Sequence, residues 1–276
     1  MIATISKTKE ILAKYNIQAK KRYGQNFLVD SNVVKKIVDT AGVDSDTIVV
    51  EVGPGLGSMT ELLCKSAYKV ICFEIDPDMV NILKNELQFD NLSIIEKDFL
   101  KVDLKDYITE KKRTIVVSNL PYYVTTPIIS KLLVDNRVSE IYVMVQDEVA
   151  DRLTSNVGSK DYGSLSVLIK YYSDSKYEFK VTRNCFYPSP NVDSAIVSIK
   201  KNKKDYSLNN EAVFLEFVQD IFETRRKTLV NNILRKYSIE REKLEEILTS
   251  HGFDKTIRSE CLSLDDIVYV YRKVVK

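Results

Sequence analysis

The sequence predicts an α/β protein with a doubly wound, mostly parallel seven-stranded sheet, followed by a small all-helical C-terminal domain. Three observations predict this class. From about residue 47, short runs rich in Ile and Val alternate with amphipathic stretches. A glycine-rich turn directly follows the first run. Residues 205–276 contain no proline and a single glycine, Gly252, and their apolar residues recur at helical spacing.

Five short apolar runs, rich in β-branched residues and bounded by turn or polar residues, are predicted to be strands. They are Thr47–Val52, Lys69–Phe73, Leu92–Ile95, Thr114–Val117 and Ile141–Val145. Helical spacing predicts helices between them at Ser58–Ser66, Asp78–Leu87 and Pro127–Leu133. Repeated strand–helix units of this kind form a parallel sheet covered on both faces. Two later runs, Tyr177–Val181 and Ser194–Lys200, complete the seven strands as an antiparallel hairpin.

The character of the chain changes after residue 204. Four later segments fit helices, namely Glu211–Phe222, Lys227–Arg235, Arg241–Leu248 and Leu264–Val274. We therefore predict an α/β domain over residues 1–204, which includes a basic N-terminal segment at 1–29, and a helical domain over residues 205–276.

Composition excludes several classes of protein. An apolar content of 44% with 29% charged residues is typical of a soluble globular chain. The four cysteines form no C-x-x-C pair and His251 is the only histidine, which argues against a disulfide framework, a metal site and a Ser-His-Asp triad. No stretch approaches the roughly 18 apolar residues of a membrane span, and the N-terminus lacks a secretory signal. We expect a cytoplasmic protein that needs no metal.

The net charge is only +2, but the basic residues are clustered. Residues 1–29 carry six Lys or Arg, among them Lys21 and Arg22, against one acid. Lys200–Lys204 and the run Arg225, Arg226 and Lys227 form two more clusters. Each cluster alone is typical of a solvated surface, whereas three together favour an anionic partner.

The glycine-rich turn after Thr47–Val52 reads G-x-G-x-G, with Gly53 and Gly55 first. Three interpretations are a dinucleotide site, a methyl-donor site and a structural turn. A phosphate-binding P-loop is disfavoured because no Lys-Ser or Lys-Thr follows. Glu51, just before the turn, would repel a pyrophosphate but suits the cationic amino and sulfonium end of S-adenosylmethionine. This favours a Rossmann-like donor domain, in which Glu74 after the second strand accepts both ribose hydroxyls and Asp98 after the third contacts adenine.

The fourth strand ends in Asn119-Leu120-Pro121-Tyr122. The exocyclic amine of adenine is a poor nucleophile, and two neutral acceptors, the Asn119 side-chain carbonyl and the Leu120 backbone carbonyl, can bind its N–H groups. Pro121 fixes the turn, and Tyr122 offers an aromatic face to a base swung out of its stack. We place Phe186 on the opposite face of that base. The open alternatives are a strand-ending turn for the first motif and a proline-rich loop with a core phenylalanine for the second.

Together these motifs resemble the small-subunit ribosomal RNA adenine dimethyltransferase family, from about residue 7 to about residue 270. The resemblance rests on Tyr23–Leu28, Glu51–Gly55, Phe73–Asp76, Asn119–Tyr122, Phe186–Pro190 with Val192–Ser194, and Arg225–Leu229 with Asn231 and Asn232.

The resemblance implies an S-adenosylmethionine-dependent enzyme that adds two methyl groups to N6 of each of two adjacent adenosines. These lie in the 3′-terminal hairpin loop of small-subunit ribosomal RNA, and the substrate would be the immature small subunit. It implies that Asn26, Leu28, Gly53, Glu74 and Asp98 bind the donor, with Asn119 at the methyl group. We expect a monomer whose RNA contacts come from the two basic clusters at 21–22 and 225–227 and from the helical domain.

The sequence departs from the family pattern at one position. Asp147 occupies a position where many relatives carry Lys, which weakens the expected RNA contact there.

Three alternative functions remain open. A large-subunit adenine methylase that confers antibiotic resistance shares the donor site and a similar tetrad, but the stretch Phe222–Thr228 resembles the small-subunit family. A non-catalytic RNA-binding assembly factor is disfavoured by the intact tetrad and Glu74. DNA adenine methylases more often carry Asp or Asn followed by Pro-Pro-Tyr.

Overall fold

A computed structural model describes residues 1–20 and 23–275, which divide into two compact units. The first unit comprises residues 1–150 and 175–201, and the second comprises residues 151–174 and 202–276.

The described residues contain nine β-strands and eleven α-helices, besides short 3-10 helices and loops. The strands are β1 Phe27–Leu28, β2 Thr47–Val52, β3 Lys69–Glu74, β4 Leu92–Glu96, β5 Arg113–Asn119, β6 Glu140–Gln146, β7 Ser173–Val181, β8 Phe186–Tyr187 and β9 Ser194–Lys201. The helices are α1 Ile5–Lys14, α2 Ser31–Ala41, α3 Thr60–Ser66, α4 Pro77–Glu86, α5 Thr125–Val134, α6 Asp147–Thr154, α7 Ser164–Tyr172, α8 Glu211–Phe222, α9 Leu229–Leu234, α10 Arg241–Ser250 and α11 Leu264–Val274.

The main sheet has seven strands in the order β4-β3-β2-β5-β6-β9-β7. The β2/β3, β3/β4, β2/β5 and β5/β6 pairs are parallel, and β6/β9 is antiparallel. This confirms the predicted doubly wound, mostly parallel fold. A separate antiparallel pair, β1 with β8, joins the N-terminal segment to the segment around Phe186 and was not predicted.

The central strands are buried on both faces. All six residues of β2 are buried, as are the five middle residues of β5. Their Val- and Ile-rich sequences suit this position, because a strand covered by helices on both sides needs apolar residues throughout. Polar groups that must meet a ligand can therefore lie only where the strands end.

The N-terminal helix α1 is packed onto the first unit through its apolar side. Ile11 and Leu12 lie in a cluster with Met79, Ile82 and Leu83 of α4. At the end of α1, Lys14 forms an ion pair with Glu86 at 2.6 Å. The helix thereby brings the segment that follows it beside the carboxyl end of the sheet.

The second unit has an aromatic core. Tyr171 of α7 lies 5.4 Å from Phe214 of α8, and Phe214 lies 5.2 Å from Tyr271 of α11, measured between ring centroids. The sequence-based boundary at residue 204 lies close to the division after residue 201. However, residues 151–174, which we assigned to the α/β domain, belong to the helical unit, because the buried side of α7 packs against α8 and α11.

We expect Ile11→Ala to lower the free energy of unfolding by about 2–4 kcal/mol, because a fully buried side chain leaves a cavity. Ile5, on the same helix, is 50% exposed and provides the matched control. Its replacement by Ala should change the free energy by less than about 0.5 kcal/mol. Urea denaturation followed by circular dichroism measures both values. Equal losses for the two variants would contradict the packing of α1.

Candidate active site

A cavity lies at the carboxyl edge of the parallel strands. Its walls are the segments that follow β2, β3, β4 and β5, together with Tyr23–Leu28 from the N-terminal segment. All of the predicted donor-binding residues line it, namely Asn26, Leu28, Glu51, Gly53, Gly55, Glu74, Asp98 and Asn119. The four tetrad residues Asn119–Tyr122 line it as well.

The glycine loop forms one side of this cavity in a conformation that needs glycine. Gly55 has φ +59°, and a Cβ there would lie 3.3 Å from the Phe27 ring. Gly57 has φ +87°, and its Cβ would lie 2.6 Å from Leu87. The loop therefore combines left-handed backbone with close approach to its neighbours, which only glycine allows without strain.

Glu74 is held as a fixed acceptor at the end of β3. Its Oε1 accepts the backbone N–H of Ile75 at 2.8 Å and of Asp76 at 2.9 Å, and its Oε2 accepts that of Gly55 at 3.2 Å. Burial raises the pKa of Glu74, while these backbone donors oppose the rise. The carboxylate is thus oriented before any ligand arrives. Its Oε1 already accepts two donors, whereas its Oε2 accepts one and has capacity for a further hydroxyl donor.

Glu51 is more deeply buried and has fewer donors. Thr60 donates its hydroxyl to Glu51 Oε2 at 2.6 Å, and the Cys72 thiol lies 3.6 Å from the same oxygen. Burial raises the pKa of Glu51 from 4.5 to about 7, against the lowering effect of Thr60 and Cys72. A cationic ligand at this end of the cavity would stabilise the ionised form.

Three large apolar side chains on the cavity wall are exposed. Ile75 is 45% exposed, Leu100 is 39% exposed and Tyr123 is 58% exposed. Asp98 also lines the cavity, and its Oδ1 accepts the Leu100 N–H at 3.0 Å. Exposed apolar faces beside an oriented carboxylate suit a flat heteroaromatic ring that carries an amine.

The tetrad is tied to the glycine loop and to the N-terminal segment. Ser118 donates its buried hydroxyl to the Val52 carbonyl at 2.5 Å. Asn119 donates through Nδ2 to the Asn26 carbonyl at 3.3 Å, which leaves Oδ1 as the acceptor. The Tyr122 hydroxyl lies 3.0 Å from Ser194 Oγ, and burial raises the pKa of this tyrosine.

The structure does not bring Phe186 to the cavity, which corrects our prediction. Its side chain is 4% exposed and belongs to a core cluster with Leu28, Met144 and Ile196. The cause is the pairing of β1 with β8, which sets Phe186 opposite Leu28. The alternative of a proline-rich loop with a core phenylalanine describes this segment.

The three basic clusters differ in their surroundings. Lys21 and Arg22 lie outside the described residues. Lys200, Lys203 and Lys204 form ion pairs with Glu140, Glu211 and Asp174, and Lys201 donates to the Asp135 carbonyl. Arg225, Arg226 and Lys227 are exposed in the loop between α8 and α9, where Arg225 donates to the Lys160 carbonyl.

Asp147 is engaged within the protein. Its Oδ1 accepts the Tyr177 hydroxyl at 2.8 Å and its Oδ2 lies 3.0 Å from Lys180 Nζ. Lys180 also lies 3.1 Å from Asp193 Oδ2. The Asp147 carboxylate is therefore paired within the protein, and this position supplies no positive charge that could contact RNA phosphate.

Sequence reasoning missed several residues of the cavity. Ile75 and Tyr123 directly follow the recognised Glu74 and Tyr122, so their place in the chain was a usable signal. The hydrogen bond from Ser118, which directly precedes the tetrad and does not line the cavity, was missed as well. Leu100 carries no motif, and only its exposure beside Asp98 identifies it.

Among residues 1–20 and 23–275 there is no group of three or more His, Cys, Asp or Glu side chains arranged to hold a metal ion. No helix within the same residues has the length and hydropathy to cross a membrane.

The family model described as ribosomal RNA adenine dimethylase matches residues 16–271. A protein of Geobacillus thermodenitrificans named ribosomal RNA small subunit methyltransferase A is 45% identical over 273 residues, which cover 95% of this chain and 93% of that protein. A protein of the same name from Bacillus cereus strain AH187 is 43% identical over 284 residues, covering 99% and 97% of the two chains.

Two solved structures are also similar. A dimethyladenosine transferase from Plasmodium falciparum matches with a TM-score of 0.73 and 25% identity, covering 88% of this chain and 95% of that one. The 23S rRNA methyltransferase ErmE matches with a TM-score of 0.68 and 26% identity, covering 91% and 100%.

The burial of Glu51 gives a pH-dependent test. The pKa of Glu51 is about 7 in the folded protein, against 4.5 for the same side chain in the unfolded chain. Because the folded state holds this proton more tightly, the free energy of unfolding falls as the pH rises from 4.5 to about 7. Glu51→Gln removes this cost, so from pH 4.5 to pH 8 its unfolding free energy should rise by about 3 kcal/mol relative to the unsubstituted protein. Urea denaturation at the two pH values measures the difference. Parallel pH profiles would show that Glu51 is not buried as a titrating carboxyl.

Proposed function

This chain belongs to the ribosomal RNA adenine dimethylase family and dimethylates adenine in small-subunit ribosomal RNA, and from that premise we propose that the cavity binds S-adenosylmethionine beside the Asn119–Tyr122 turn. The substrate base would be bound so that its N6 amine meets Asn119. The observation that carries the proposal is the Asn119 amide: it is tied through Nδ2 to the wall of the same cavity that Glu74 and Asp98 line.

The residues of the cavity fit the donor. Ile75 and Leu100 offer apolar faces to adenine, and Asp98 can accept its amine. Glu74, already oriented by three backbone donors, can accept a ribose hydroxyl at Oε2. Glu51 supplies negative charge for the cationic end. When bound, S-adenosylmethionine supplies a methyl group made electrophilic by its sulfonium.

The chain's own part in the reaction is to present the amine. Asn119 Oδ1 and the Leu120 carbonyl accept hydrogen bonds from the two N–H groups of adenine N6. These hydrogen bonds orient the nitrogen and oppose delocalisation of its lone pair into the ring. The amide orientation is set by the bond from Nδ2 to Asn26. No strong base is needed beforehand, because the nitrogen proton becomes acidic once the methyl group is attached. Tyr122, with its hydroxyl near Ser194, supplies the face on which the base stacks.

We assign RNA recognition to the helical unit, through Arg225, Arg226 and Lys227. These side chains are exposed on a loop, whereas the lysines at 200, 203 and 204 have carboxylate partners. The substrate in this proposal is the 3′-terminal hairpin loop, with two adjacent adenosines each dimethylated, on an immature small subunit. The enzyme would act in the cytoplasm as a monomer.

Transfer of labelled methyl groups to purified ribosomal subunits that lack the modification tests the proposal. We expect N6,N6-dimethyladenosine on the small subunit alone. Asn119→Ala should lose at least 100-fold in rate, because it removes an oriented acceptor, yet bind S-adenosylhomocysteine measurably by calorimetry. Label on large-subunit RNA would favour the resistance-type activity. Donor binding without label on either subunit would favour an assembly factor, and substantial activity of Asn119→Ala would remove that residue from its role.

The exposed basic loop gives a second test. Replacing Arg225, Arg226 and Lys227 together with Gln should weaken binding to the hairpin RNA and reduce the slope of log K against log salt by about 2, because fewer counterions are released. Lys203→Gln with Lys204→Gln is the matched control, since both lysines have carboxylate partners, and its slope should stay the same. Filter binding across a salt series measures the slopes. Equal slopes for the first variant and the unsubstituted protein would show that the loop does not touch phosphate.

A further inference from the structure

We propose that Asp76 is a positioning residue for the reaction, because it fastens the N-terminal wall of the cavity to the loop that directly follows Glu74. The donor wall is defined here as Tyr23–Leu28, which lines the cavity. The inference rests on the proposed function in one respect, the identity of the cavity's ligand.

Asp76 is a fully buried carboxylate that the chemistry described above does not use. Its Oδ1 lies 2.7 Å from Lys20 Nζ, and its Oδ2 accepts Gln25 Nε2 at 2.8 Å. Lys20 and Gln25 lie before and within the donor wall. Each oxygen of Asp76 thus binds a different part of the N-terminal segment.

Asp76, Lys20 and Gln25 together form what we call the anchor, and its two N-terminal residues also contact each other. The Lys20 backbone N–H donates to Gln25 Oε1 at 2.8 Å, so the two side chains held by Asp76 are joined to each other. Hydrogen bonds to an ionised group are shorter and stronger than neutral ones, and burial protects them from water and salt. This corner is therefore the firmest described attachment between the donor wall and the β3–α4 loop.

Asp76 is connected to Glu74 directly and to Asn119 through the donor wall. Its backbone N–H donates to Glu74 Oε1 at 2.9 Å, and so helps to orient the proposed ribose acceptor. At the other end of the donor wall, the Asn26 carbonyl accepts Asn119 Nδ2. A continuous set of contacts therefore runs from the Glu74 carboxylate through Asp76, Gln25 and Asn26 to the residue that presents the amine.

The substitution Asp76→Asn isolates this role. Asp76 also begins α4, where its Oδ1 accepts the Asp78 N–H at 3.2 Å, and Asn begins helices as well as Asp does. Asn has nearly the same shape, but its NH2 group must face either the Lys20 ammonium or the Gln25 NH2. One donor then meets another donor, and the anchor loses its charge.

Limited proteolysis measures the anchor without any ligand. Trypsin can cleave after Lys20, Lys21 and Arg22, directly before the donor wall. We expect Asp76→Asn to be cleaved there about tenfold faster than the unsubstituted protein, from the loss of charged hydrogen bonds. Asp78→Asn is the matched control: Asp78 also contacts Lys20, but its side chain is 49% exposed, and its cleavage rate should stay within about twofold of the unsubstituted rate.

Donor binding provides the second readout. Calorimetry with S-adenosylhomocysteine should give a dissociation constant about tenfold higher for Asp76→Asn and unchanged for Asp78→Asn. The KM for S-adenosylmethionine should rise by a similar factor, while kcat at saturating donor changes less than the KM. A purely structural role would instead accelerate cleavage throughout the chain and lower kcat.

Unchanged cleavage at residues 20–22, or equally faster cleavage along the whole chain, would overturn the proposal. If Asp76→Asn fails to fold, Gln25→Leu removes one arm of the anchor while leaving the carboxylate with Lys20, and selective cleavage at 20–22 is again the required result. If the unsubstituted protein binds no S-adenosylhomocysteine, the proposed donor site fails, whereas the proteolysis still decides the anchor.

Discussion

The burial of the central parallel strands on both faces is the constraint on which the rest of this structure depends. It drives polar groups to the strand ends, and parallel pairing collects the carboxyl ends at one edge. The chain winds from β2 towards β4 in one direction and from β5 towards β7 in the other, and a crevice opens where the direction reverses. The glycine loop after β2 and the tetrad after β5 flank that reversal. The hydrogen bond from Ser118 to the Val52 carbonyl joins the two strands at this point.

The two buried glutamates of the cavity are compensated to different degrees, and this separates their roles. Glu74 accepts three backbone N–H groups, which fix its geometry and oppose the rise in its pKa that burial causes. Glu51 has a hydroxyl and a thiol as its neighbours, and its pKa is raised to about 7. A bound cation would favour ionised Glu51, and by linkage ionised Glu51 would favour the cation. In the proposed donor site, Glu74 would therefore contribute mainly orientation and Glu51 mainly charge.

Local sequence patterns predicted the strands and helices well, but they did not predict contacts between residues that are far apart in the chain. The apolar runs gave the bounds of β2 and of α8 as the structure has them, because a buried strand and an amphipathic helix each leave a periodic signature. The location of Phe186 depends on the pairing of β1 with β8, which brings together residues far apart in the chain. The membership of residues 151–174 in the helical unit depends on the partners of α7 in the same way. Similarly, the run Lys200–Lys204 looks like an exposed basic patch until its distant carboxylate partners are known.

The choice of an amide at position 119 has a consequence for product release. An aspartate there could not donate to the Asn26 carbonyl, and it would add negative charge to a cavity that already contains Glu51 and Glu74. The amide keeps its orientation and offers a neutral acceptor. In the proposed mechanism, Asn119 Oδ1 and the Leu120 carbonyl together accept two hydrogen bonds from the N6 amine of adenine. The monomethylated base can donate only one such hydrogen bond, and the dimethylated base can donate none. Buried acceptors without donors are costly, so each methyl transfer weakens the hold on the base. In this proposal, the pair of acceptors that activates the amine would therefore also favour release of the dimethylated product.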